Sequence, residues 1–223
     1  MTKKRIFCII PAYNEGKTIG DVVKSVNPLV TKTVVIDDGS SDETAKVARE
    51  VHAIVLQHII NLGQGAALQT GIQYALDNGA EYIVTFDADG QHDPKNIPDL
   101  ISALEGGYDI VIGSRFMGLI EGASLYRKIF LKFAVLVSNY ISGLKLTDAH
   151  CGIRIFCAHI AHKLQIEQNR MAHASEILYK IKKYDLKVRE IPVTVRYSEY
   201  SKAKGQTSLG ALEILVDFFL RKY

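Results

Sequence analysis

The sequence predicts an α/β fold in which a mostly parallel, Rossmann-like central sheet is flanked by helices, with amphipathic helices towards the C-terminus. Short apolar runs alternate with helix-like segments along the chain, which is the pattern of a parallel sheet. Polar or glycine-rich turns follow each of the first four predicted strands, so these turns would meet at one edge of the sheet. With 223 residues and 48% hydrophobic content, the chain can bury one sizeable core.

The predicted elements follow one another in a regular order. The predicted strands cover residues 5–10, 33–36, 53–57, 82–86 and 109–112. The predicted helices cover residues 15–26, 42–51, 64–76, 98–104, 125–144 and 209–220, with a further helical stretch that begins near residue 173. We expect one domain over residues 1–206 and an amphipathic helix within residues 207–223.

Cysteine usage, charge and the N-terminus restrict the setting of the protein. The three cysteines, Cys8, Cys151 and Cys157, have no metal-ligand spacing, and an odd number argues against a disulfide framework. The apolar run at residues 6–10 is too short for a secretion signal, so we expect a reduced cytoplasmic environment. The net charge of +3 is modest, and we expect no nucleic-acid partner.

An acidic turn follows the fourth predicted strand and reads Asp-Ala-Asp-Gly-Gln-His-Asp-Pro over residues 87–94. In a continuing strand Asp87 and Asp89 would point to the same face, and the amide oxygen of Gln91 would join them. Hard oxygen donors of this kind suit Mg2+ or Mn2+, and such a metal would hold a diphosphate. The alternative interpretation is a solvated acidic turn, since Asp, Gly and Pro are the commonest turn residues.

Other turns at the same edge also bear on the ligand. The turn at residues 11–15 lacks the G-x-G-x-x-G sequence of dinucleotide-binding folds, which argues against an oxidoreductase that uses a dinucleotide. Asp37 and Asp38 are adjacent carboxylates that would repel each other unless a base amide or a ribose hydroxyl uses them. Gly63 and Gly65 would let the backbone approach a ligand or a helix closely, or would only form a turn.

Taken in order, these motifs resemble those of the family 2 inverting glycosyltransferases, and most of all the dolichol- and polyprenyl-phosphate sugar synthases. The matching segments span nearly the whole chain and are Pro-Ala-Tyr-Asn-Glu at 11–15, Asp-Asp-Gly-Ser-Ser-Asp at 37–42, Asn-Leu-Gly-Gln-Gly at 61–65, the acidic turn at 87–94, Gly-Ser-Arg at 113–115, Thr-Asp at 147–148 with Cys-Gly-Ile-Arg at 151–154, and Ile-Pro-Val-Thr-Val-Arg at 191–196. The resemblance implies a GT-A fold and a nucleotide-sugar donor.

The resemblance also implies roles for particular residues. The residues that would line the nucleoside pocket are Pro11, Tyr13, Glu15 and Asp38. Those that would hold Mg2+ or Mn2+ on the donor diphosphate are Asp87, Asp89 and Gln91. The further residues that we assign to donor binding are Gly65, Arg196 and Lys202.

The acceptor decides which other groups the chemistry requires. Displacing a nucleoside diphosphate needs its charge neutralised, which the metal would do. A lipid phosphate is already anionic and needs cations rather than a base, and Arg115, Arg127 and Arg154 would bind it. A sugar hydroxyl would instead need a carboxylate base, for which Asp148 is the candidate. We therefore assign catalytic roles to Asp89, Asp148, Arg115 and Arg127.

Three functions remain open at this point. We expect a metal-dependent enzyme that transfers a sugar, with inversion, from GDP-mannose or a UDP-hexose to a polyprenyl phosphate. The first alternative is a family 2 enzyme that glycosylates a saccharide hydroxyl in polysaccharide or glycolipid synthesis. The second is a non-catalytic nucleotide-sugar-binding protein. A nucleotidyltransferase is disfavoured, because no glycine-rich, lysine-containing loop follows the first strand.

Two stretches bear on membrane contact. Within the helix predicted at residues 125–144, the uninterrupted apolar part is residues 133–137, far short of the roughly 20 residues that span a bilayer. This helix, with basic residues near its start, would lie in the membrane interface or pack on the sheet. Residues 197–206 would form a mobile loop that closes over the diphosphate, or a linker.

The resemblance is incomplete at the C-terminus. Many polyprenyl-phosphate sugar synthases continue into transmembrane helices, whereas this sequence stops at Tyr223. We therefore expect a peripheral membrane contact on the cytosolic face, made by the protein alone or with a small membrane partner protein.

Overall fold

The computed structural model describes residues 4–197, which form a seven-stranded sheet with helices packed against it. The strands are β1 (Ile6–Ala12), β2 (Lys32–Asp37), β3 (Ile54–Gln57), β4 (Tyr82–Thr85), β5 (Ile110–Glu121), β6 (Arg154–Cys157) and β7 (Val188–Arg196). The helices are α1 (Ile19–Val26), α2 (Thr44–Glu50), α3 (Gln64–Asp77), α4 (Ile97–Glu105), α5 (Leu125–Ser142) and α6 (His173–Lys183). Lys202, most of the loop predicted at 197–206 and the helix predicted at 209–220 lie outside the described residues.

The strand order in the sheet is β3-β2-β1-β4-β6-β5-β7. β1 is parallel to β2 and β4, β2 is parallel to β3, and β5 is parallel to β7. Only β6 is reversed among the described strands, and it is antiparallel to both β4 and β5. The mostly parallel sheet predicted from the sequence is confirmed. The carboxyl ends of the parallel strands and the amino end of β6 therefore meet at one edge, which we call the carboxyl edge.

The core covers both faces of the central strands. β1 is buried at every position, as expected for a parallel strand with helices on both faces. α1 buries Ile19, Val22, Val23 and Val26, which recur at the three- and four-residue spacing of one helical face. This packing holds the turns after the strands on a rigid sheet.

Three features of the sheet differ from the sequence prediction. β5 is predicted only to residue 112 but continues to Glu121, because it resumes pairing with β7 at Leu119 after a break in register. β6 escapes prediction because it has only four residues and begins with Arg154. β7 alternates buried and exposed residues, which is the period-two signal of a strand with one covered face.

The predicted helix at residues 125–144 is confirmed as α5. Ser124 caps its start, with Oγ accepting the N–H of Arg127 at 3.2 Å, and Gly143 ends it in the left-handed conformation. Among residues 4–197, no helix is both long enough and apolar enough to cross a membrane.

α5 has one covered side and one open side. Its buried residues include Ala134, Val135 and Ser138. Its open side carries large apolar residues spaced three or four apart, which we call the apolar α5 face: Leu125, Ile129, Phe133, Leu136 and Tyr140. The helix thus packs on the protein through one side and leaves an amphipathic surface open, and its contact with a membrane stays a prediction.

Candidate active site

A cavity of about 660 Å³ opens at the carboxyl edge of the sheet. Its walls come from the turns after β1 to β4, the start of β6, one side of α5 and the residues around the start of α6. All the residues predicted to line a nucleoside pocket lie in its wall: Pro11, Tyr13, Glu15 and Asp38. Four other predicted site residues share the same wall: Asp87, Asp89, Arg115 and Arg154. The fold therefore gathers most of the predicted site into one cavity.

Asp38 fixes the turn that follows β3. Its Oδ1 accepts the N–H of Leu62 at 2.9 Å, and its Oδ2 accepts the N–H of Gly63 at 2.7 Å. His58 Nδ1 lies 2.7 Å from the same Oδ1. The adjacent Asp37 is also bound by two protein donors, at 2.9 and 3.0 Å. The two carboxylates are thus satisfied within the protein, and Asp38 contributes to the cavity as part of a rigid wall.

The acidic turn places Asp87 and Asp89 side by side. Asp87 Oδ2 lies 3.1 Å from His92 Nε2, and Asp87 Oδ1 accepts a hydrogen bond from Gln64 Nε2 at 3.3 Å. Asp89 Oδ1 accepts the backbone N–H of Gln91 at 3.0 Å, and the side-chain amide of Gln91 donates to Asp89 Oδ2. Gln91 is predicted as a metal ligand, but here its amide nitrogen orients Asp89.

The two carboxylates have opposite pKa shifts. Burial acts to raise the pKa of Asp87, but the hydrogen bond with His92 and the charges of Arg154 and Arg115 outweigh burial and hold this pKa below its ordinary value. Burial, followed by the negative charge of Asp87, raises the pKa of Asp89 to about 6. A divalent cation would relieve the repulsion between the two carboxylates.

The donor set fits a metal that is shared with a phosphate ligand. Among residues 4–197, no group of three or more His, Cys, Asp and Glu side chains is arranged to hold a metal ion. Asp87 and Asp89 supply two hard oxygen ligands. Mg2+ typically binds through one or two carboxylates and completes its coordination with phosphates and water, and Mn2+ also favours oxygen ligands. The residues present therefore suit a cation bound together with a diphosphate.

Gly152 explains how the start of β6 approaches the acidic turn. A Cβ at Gly152 would fall inside van der Waals contact with the carboxylate of Asp87. Only glycine therefore allows this close approach, and the arrangement brings Arg154, two residues further on, into the cavity wall beside Asp87.

Arg154 is a buried cation without a complete set of partners. It is 4% exposed, and its Nε has no hydrogen-bond partner in the part of the chain that the structure describes. Burial lowers the pKa of Arg154 below its ordinary value. Burying a charge without a hydrogen-bonded partner costs several kcal/mol. Arg154 thus gives the cavity a cation that a bound anion would stabilise.

Arg115 and Asp148 bind each other in the structure. Arg115 Nε donates to Asp148 Oδ2 at 2.6 Å, and the backbone N–H of Arg115 donates to the same oxygen at 3.0 Å. Asp148 is 1% exposed and is not part of the cavity wall. Its contacts position Arg115, and its role as a base stays a prediction.

Arg115 keeps some donor capacity for a ligand. Its Nη1 donates to Tyr197 Oη at 2.8 Å and its Nη2 to the carbonyl oxygen of His150 at 3.0 Å. Each of these nitrogens carries two hydrogens, so one N–H on each remains for another acceptor. Burial opposes the charge, but Asp148 raises the pKa of Arg115 above its ordinary value. Arg115 is therefore a fixed cation in the cavity wall.

Two other predicted arginines lie outside the cavity wall. The guanidinium carbon of Arg127 is 4.6 Å from the ring centroid of Tyr197. Arg196 is exposed and forms ion pairs with Asp93 and Glu121, each at 2.8 Å. Side chains alternate along a strand, so Arg196 faces away from the buried Tyr197, and its donor-binding role stays a prediction.

Gly65 packs closely against another segment of the chain, and its predicted donor contact stays a prediction. A Cβ at Gly65 would collide with the carbonyl oxygen of Gln168, and the next residue, Ala66, donates its N–H to the carbonyl oxygen of Asn169 at 3.1 Å. The start of α3 therefore packs closely against the segment at residues 165–171. Gly65 is absent from the cavity wall, which contains its neighbours Gly63 and Gln64.

Comparison with known proteins identifies the family. Residues 7–164 match the profile described as Glycosyl transferase family 2. The chain belongs to this family. It is 36% identical to an uncharacterised protein of Methanocaldococcus jannaschii, over 100% of this chain and 94% of that protein. It is 32% identical to the UDP-N-acetylglucosamine–dolichyl-phosphate N-acetylglucosaminyltransferase of Methanococcus voltae, over 100% of this chain and 98% of that protein.

Solved structures share the fold of this family 2 glycosyltransferase. Glucosyl-3-phosphoglycerate synthase from Mycobacterium tuberculosis, crystallised with Mn2+, UDP-glucose and phosphoglyceric acid, matches with a TM-score of 0.71. The alignment covers 96% of this chain and 79% of that chain at 19% identity. The predicted GT-A fold is confirmed, and the predicted glycosyltransferase class is confirmed by the family.

One part of the family 2 site was missing from the sequence prediction. The residues around the start of α6 bring Arg170, Met171 and His173 into the cavity wall. Glu176 secures this region, because its carboxylate accepts the N–H groups of residues 167 and 168 at 2.9–3.1 Å. Lys180 pairs with Glu176 at 2.7 Å. In the sequence, the four-residue spacing of Glu176 and Lys180 indicates an ion pair on one helical face in this region.

Proposed function

We propose that this family 2 glycosyltransferase moves a sugar, with inversion, from a nucleotide sugar to a polyprenyl phosphate at the cytosolic face of the membrane. The donor is GDP-mannose or a UDP-hexose. UDP-N-acetylglucosamine is a further candidate, because the Methanococcus voltae relative is named as an enzyme that uses it. The observation that carries the proposal is Arg154, a buried guanidinium in the cavity wall whose Nε lacks a partner among the described residues.

Arg154 favours an anionic ligand inside the cavity. A guanidinium removed from water loses hydration that an anion with good hydrogen-bond geometry can replace. Its planar fork suits phosphate oxygens, and Arg115 presents a second guanidinium in the same wall. Two cations beside the carboxylates of Asp87 and Asp89 fit a site that takes two anionic groups. These groups would be the donor diphosphate and the acceptor phosphate.

A phosphate acceptor needs no general base. A phosphate oxygen attacks the anomeric carbon from the side opposite the leaving group, a new carbon–oxygen bond forms, and the bond to the diphosphate oxygen breaks. The nucleoside diphosphate leaves with the electron pair of that bond. Arg154 and Arg115 would hold the attacking phosphate in line. The wall around Tyr13 and Asp38 would hold the nucleoside.

Asp87 and Asp89 would hold Mg2+ or Mn2+. When bound, the metal supplies Lewis-acid stabilisation of the charge on the leaving diphosphate. His92 and Gln91 would keep the two carboxylates oriented, since each contacts one of them.

A saccharide hydroxyl has less support as the acceptor. Such an acceptor needs a carboxylate base within hydrogen-bond reach. Asp148, the candidate from the sequence, is occupied by Arg115 and lies outside the cavity wall. A protein that only binds nucleotide sugars has no need of paired carboxylates suited to a catalytic metal, so the pair Asp87 and Asp89 favours an enzyme.

The apolar α5 face supports contact with the bilayer. Phe133 is 57% exposed and Tyr140 is 90% exposed, which is unusual for large apolar side chains. Lys128 and Lys132 lie on the same helix and would meet anionic headgroups. Phe130 and two other α5 residues line the cavity, so α5 would connect the membrane surface to the reaction site. A small membrane partner protein would use this same face.

Transfer of radiolabelled sugar tests the proposal. Purified full-length protein is incubated with Mn2+ or Mg2+, a short polyprenyl phosphate in detergent, and in turn GDP-mannose, UDP-glucose and UDP-N-acetylglucosamine. We expect label from one donor to enter the organic phase. Arg154→Gln should lower transfer about 100-fold or more, because it removes a buried charge–phosphate contact.

The matched control is Arg189→Gln. Arg189 is an exposed arginine on β7 that contacts Tyr108, away from the cavity wall. This control should retain transfer. Slow hydrolysis of the donor with no label in the lipid would support the hydroxyl acceptor, and full transfer by Arg154→Gln would contradict the assigned phosphate site.

A further inference from the structure

Tyr197 contacts two of the arginines that the sequence predicts to bind an acceptor phosphate, Arg115 and Arg127. Its Oη accepts a hydrogen bond from Arg115 Nη1 at 2.8 Å. The guanidinium carbon of Arg127 lies 4.6 Å from its ring centroid. Tyr197 is 6% exposed, so these contacts form in a largely water-excluded place. One side chain thus joins a guanidinium from β5 to a guanidinium from α5.

Tyrosine suits this bridge because it offers cations two different surfaces. Its phenol oxygen accepts hydrogen bonds, and its ring face attracts a cation through the quadrupole. A neutral residue can therefore hold two positive groups near each other without cancelling their charge. A carboxylate in the same place would neutralise one of them and compete with an anionic ligand. An aliphatic residue would hold neither.

Arg115 lies at the junction of two openings in the protein surface. Arg115 lines the reaction cavity and also a second, shallower groove of about 400 Å³. The groove runs between the outer part of β5 and the start of α5, and it is lined mainly by apolar side chains with Lys128 and Lys132. Arg115 therefore stands where the groove beside the apolar α5 face meets the cavity. A lipid phosphate that moved from the membrane to the reaction site would pass this point.

The two arginines differ in how firmly they are held without Tyr197. Arg115 has the ion pair with Asp148 and the contact with the His150 carbonyl as further anchors. Arg127 is in the first turn of α5. Its guanidinium stacks on the ring of Tyr197, and within residues 4–197 it forms no ion pair. Loss of the ring would therefore release Arg127 and leave Arg115 only partly fixed.

We propose that Tyr197 is a positioning residue that holds Arg115 and Arg127 as one binding unit for the phosphate head of the acceptor lipid. This inference rests on the proposed function, because it takes a lipid phosphate as the acceptor. Tyr197 acts through the two arginines, and it is not itself part of the wall of the cavity or of the groove.

Two substitutions separate the two contacts of Tyr197. Tyr197→Phe removes the hydroxyl that Arg115 binds but keeps the ring for Arg127, and its packing is nearly unchanged. Tyr197→Leu removes both contacts. We expect KM for a short isoprenyl phosphate to rise about 10-fold in Tyr197→Phe, the effect of one lost hydrogen bond to a charged group, and about 100-fold in Tyr197→Leu. KM for the nucleotide sugar should stay within about twofold, which a general loss of structure would not produce.

The matched control is Tyr108→Leu. Tyr108 also lies under an arginine, with the guanidinium carbon of Arg189 5.4 Å from its ring centroid, but it precedes β5 at the opposite edge of the sheet. This variant removes an equivalent arginine–tyrosine contact and should leave both KM values unchanged. Isothermal titration calorimetry with the isoprenyl phosphate alone gives the same comparison without turnover.

The outcomes separate the inference from the proposed function. Wild-type protein that glycosylates the isoprenyl phosphate, together with a Tyr197→Phe variant that binds it as tightly as wild type, overturns the inference alone. An equal rise of both KM values in Tyr197→Phe also overturns it, because the role would then be structural. Wild-type protein that neither binds nor glycosylates the isoprenyl phosphate overturns the proposed function and the inference with it.

Discussion

The Nε of Arg115 lies 2.6 Å from the Oδ2 of Asp148, and both side chains are almost completely buried. The same Asp148 oxygen accepts the backbone N–H of Arg115. Glu190 in turn accepts the N–H groups of Thr147 and Asp148 at 2.7 and 2.8 Å. A cation in the cavity wall is thus fixed by two successive carboxylates, and neither of them belongs to the wall.

Asp148→Asn should destabilise the protein by about 3 kcal/mol or more, because removing one partner leaves the charge of Arg115 buried and unpaired. Urea denaturation at pH 7.5 measures the change. The control is Glu43→Gln, which breaks an exposed ion pair with Lys46 and should leave stability unchanged. An Asp148→Asn variant of wild-type stability that has lost only catalytic turnover would return Asp148 to the role of base.

Arg154→Met should raise stability while it abolishes transfer. The substitution replaces a buried guanidinium, whose Nε has no partner in the described chain, with an apolar side chain of similar length. We expect the free energy of unfolding to increase by about 1 kcal/mol or more. Thermal and urea unfolding, measured beside the transfer assay, test this. A fall in stability would mean that Arg154 is needed by the free protein rather than by its ligand.

Stability should fall in mild acid because of two buried histidines. Burial lowers the pKa of His173 to about 4. Burial is also the largest influence on His150, whose pKa is lowered to about 4. Since an unfolded imidazole has a pKa of about 6.5, the unfolded chain binds more protons than the folded one between pH 6.5 and 4. The free energy of unfolding therefore decreases as the pH falls through this window, by on the order of 2 kcal/mol per histidine at pH 5.

Urea denaturation at pH 7.5 and pH 5 measures this loss. His173→Gln should reduce the difference between the two pH values, since glutamine does not titrate. The control is His159→Gln, because the side chain of His159 is 72% exposed and loses little hydration on folding. A pH dependence that His173→Gln leaves unchanged would contradict the assignment.

Gly152→Ala should weaken the proposed metal site. The new methyl group would overlap the carboxylate of Asp87, which would have to move. We expect the Mn2+ concentration for half-maximal transfer to rise about 10-fold or more, the equivalent of about 1.4 kcal/mol. Gly20→Ala serves as control, because its methyl group would meet only a side-chain carbon of Val47 on α2. An unchanged requirement for Mn2+ in Gly152→Ala would argue against metal binding by Asp87.

The local parts of the site could be predicted from the sequence. Asp87 and Asp89 are separated by one residue and follow a buried strand, so their proximity depends on the turn alone. The sequence also predicted the helix α5 and the parallel half of the sheet, because apolar periodicity reports these directly. In such cases the neighbours in space are also neighbours in sequence.

The remaining parts depended on distant partners. Asp148 was assigned as a candidate base because the sequence gives no sign that Arg115, 33 residues away, binds it. The alternation Ile191, Val193, Val195 puts Tyr197 on the covered face, but its partner Arg115 is 82 residues away in the sequence. Arg170 lies in a segment with no regular period, so no pattern marked it.

The reversed strand β6 has a consequence for the order in which the protein folds. β1 to β4 pair through short parallel crossovers. β6 can join β4 only after the long loop between these two strands has closed. The hydrogen bond from Thr85 Oγ1 to the Gly152 carbonyl oxygen, for example, links residues 67 positions apart. Arg154 opens β6, so we expect the cavity to gain this cation late in folding. We also expect a nascent chain that has folded only its first half to contain the acidic turn but to lack the proposed acceptor-phosphate site until β6 has paired.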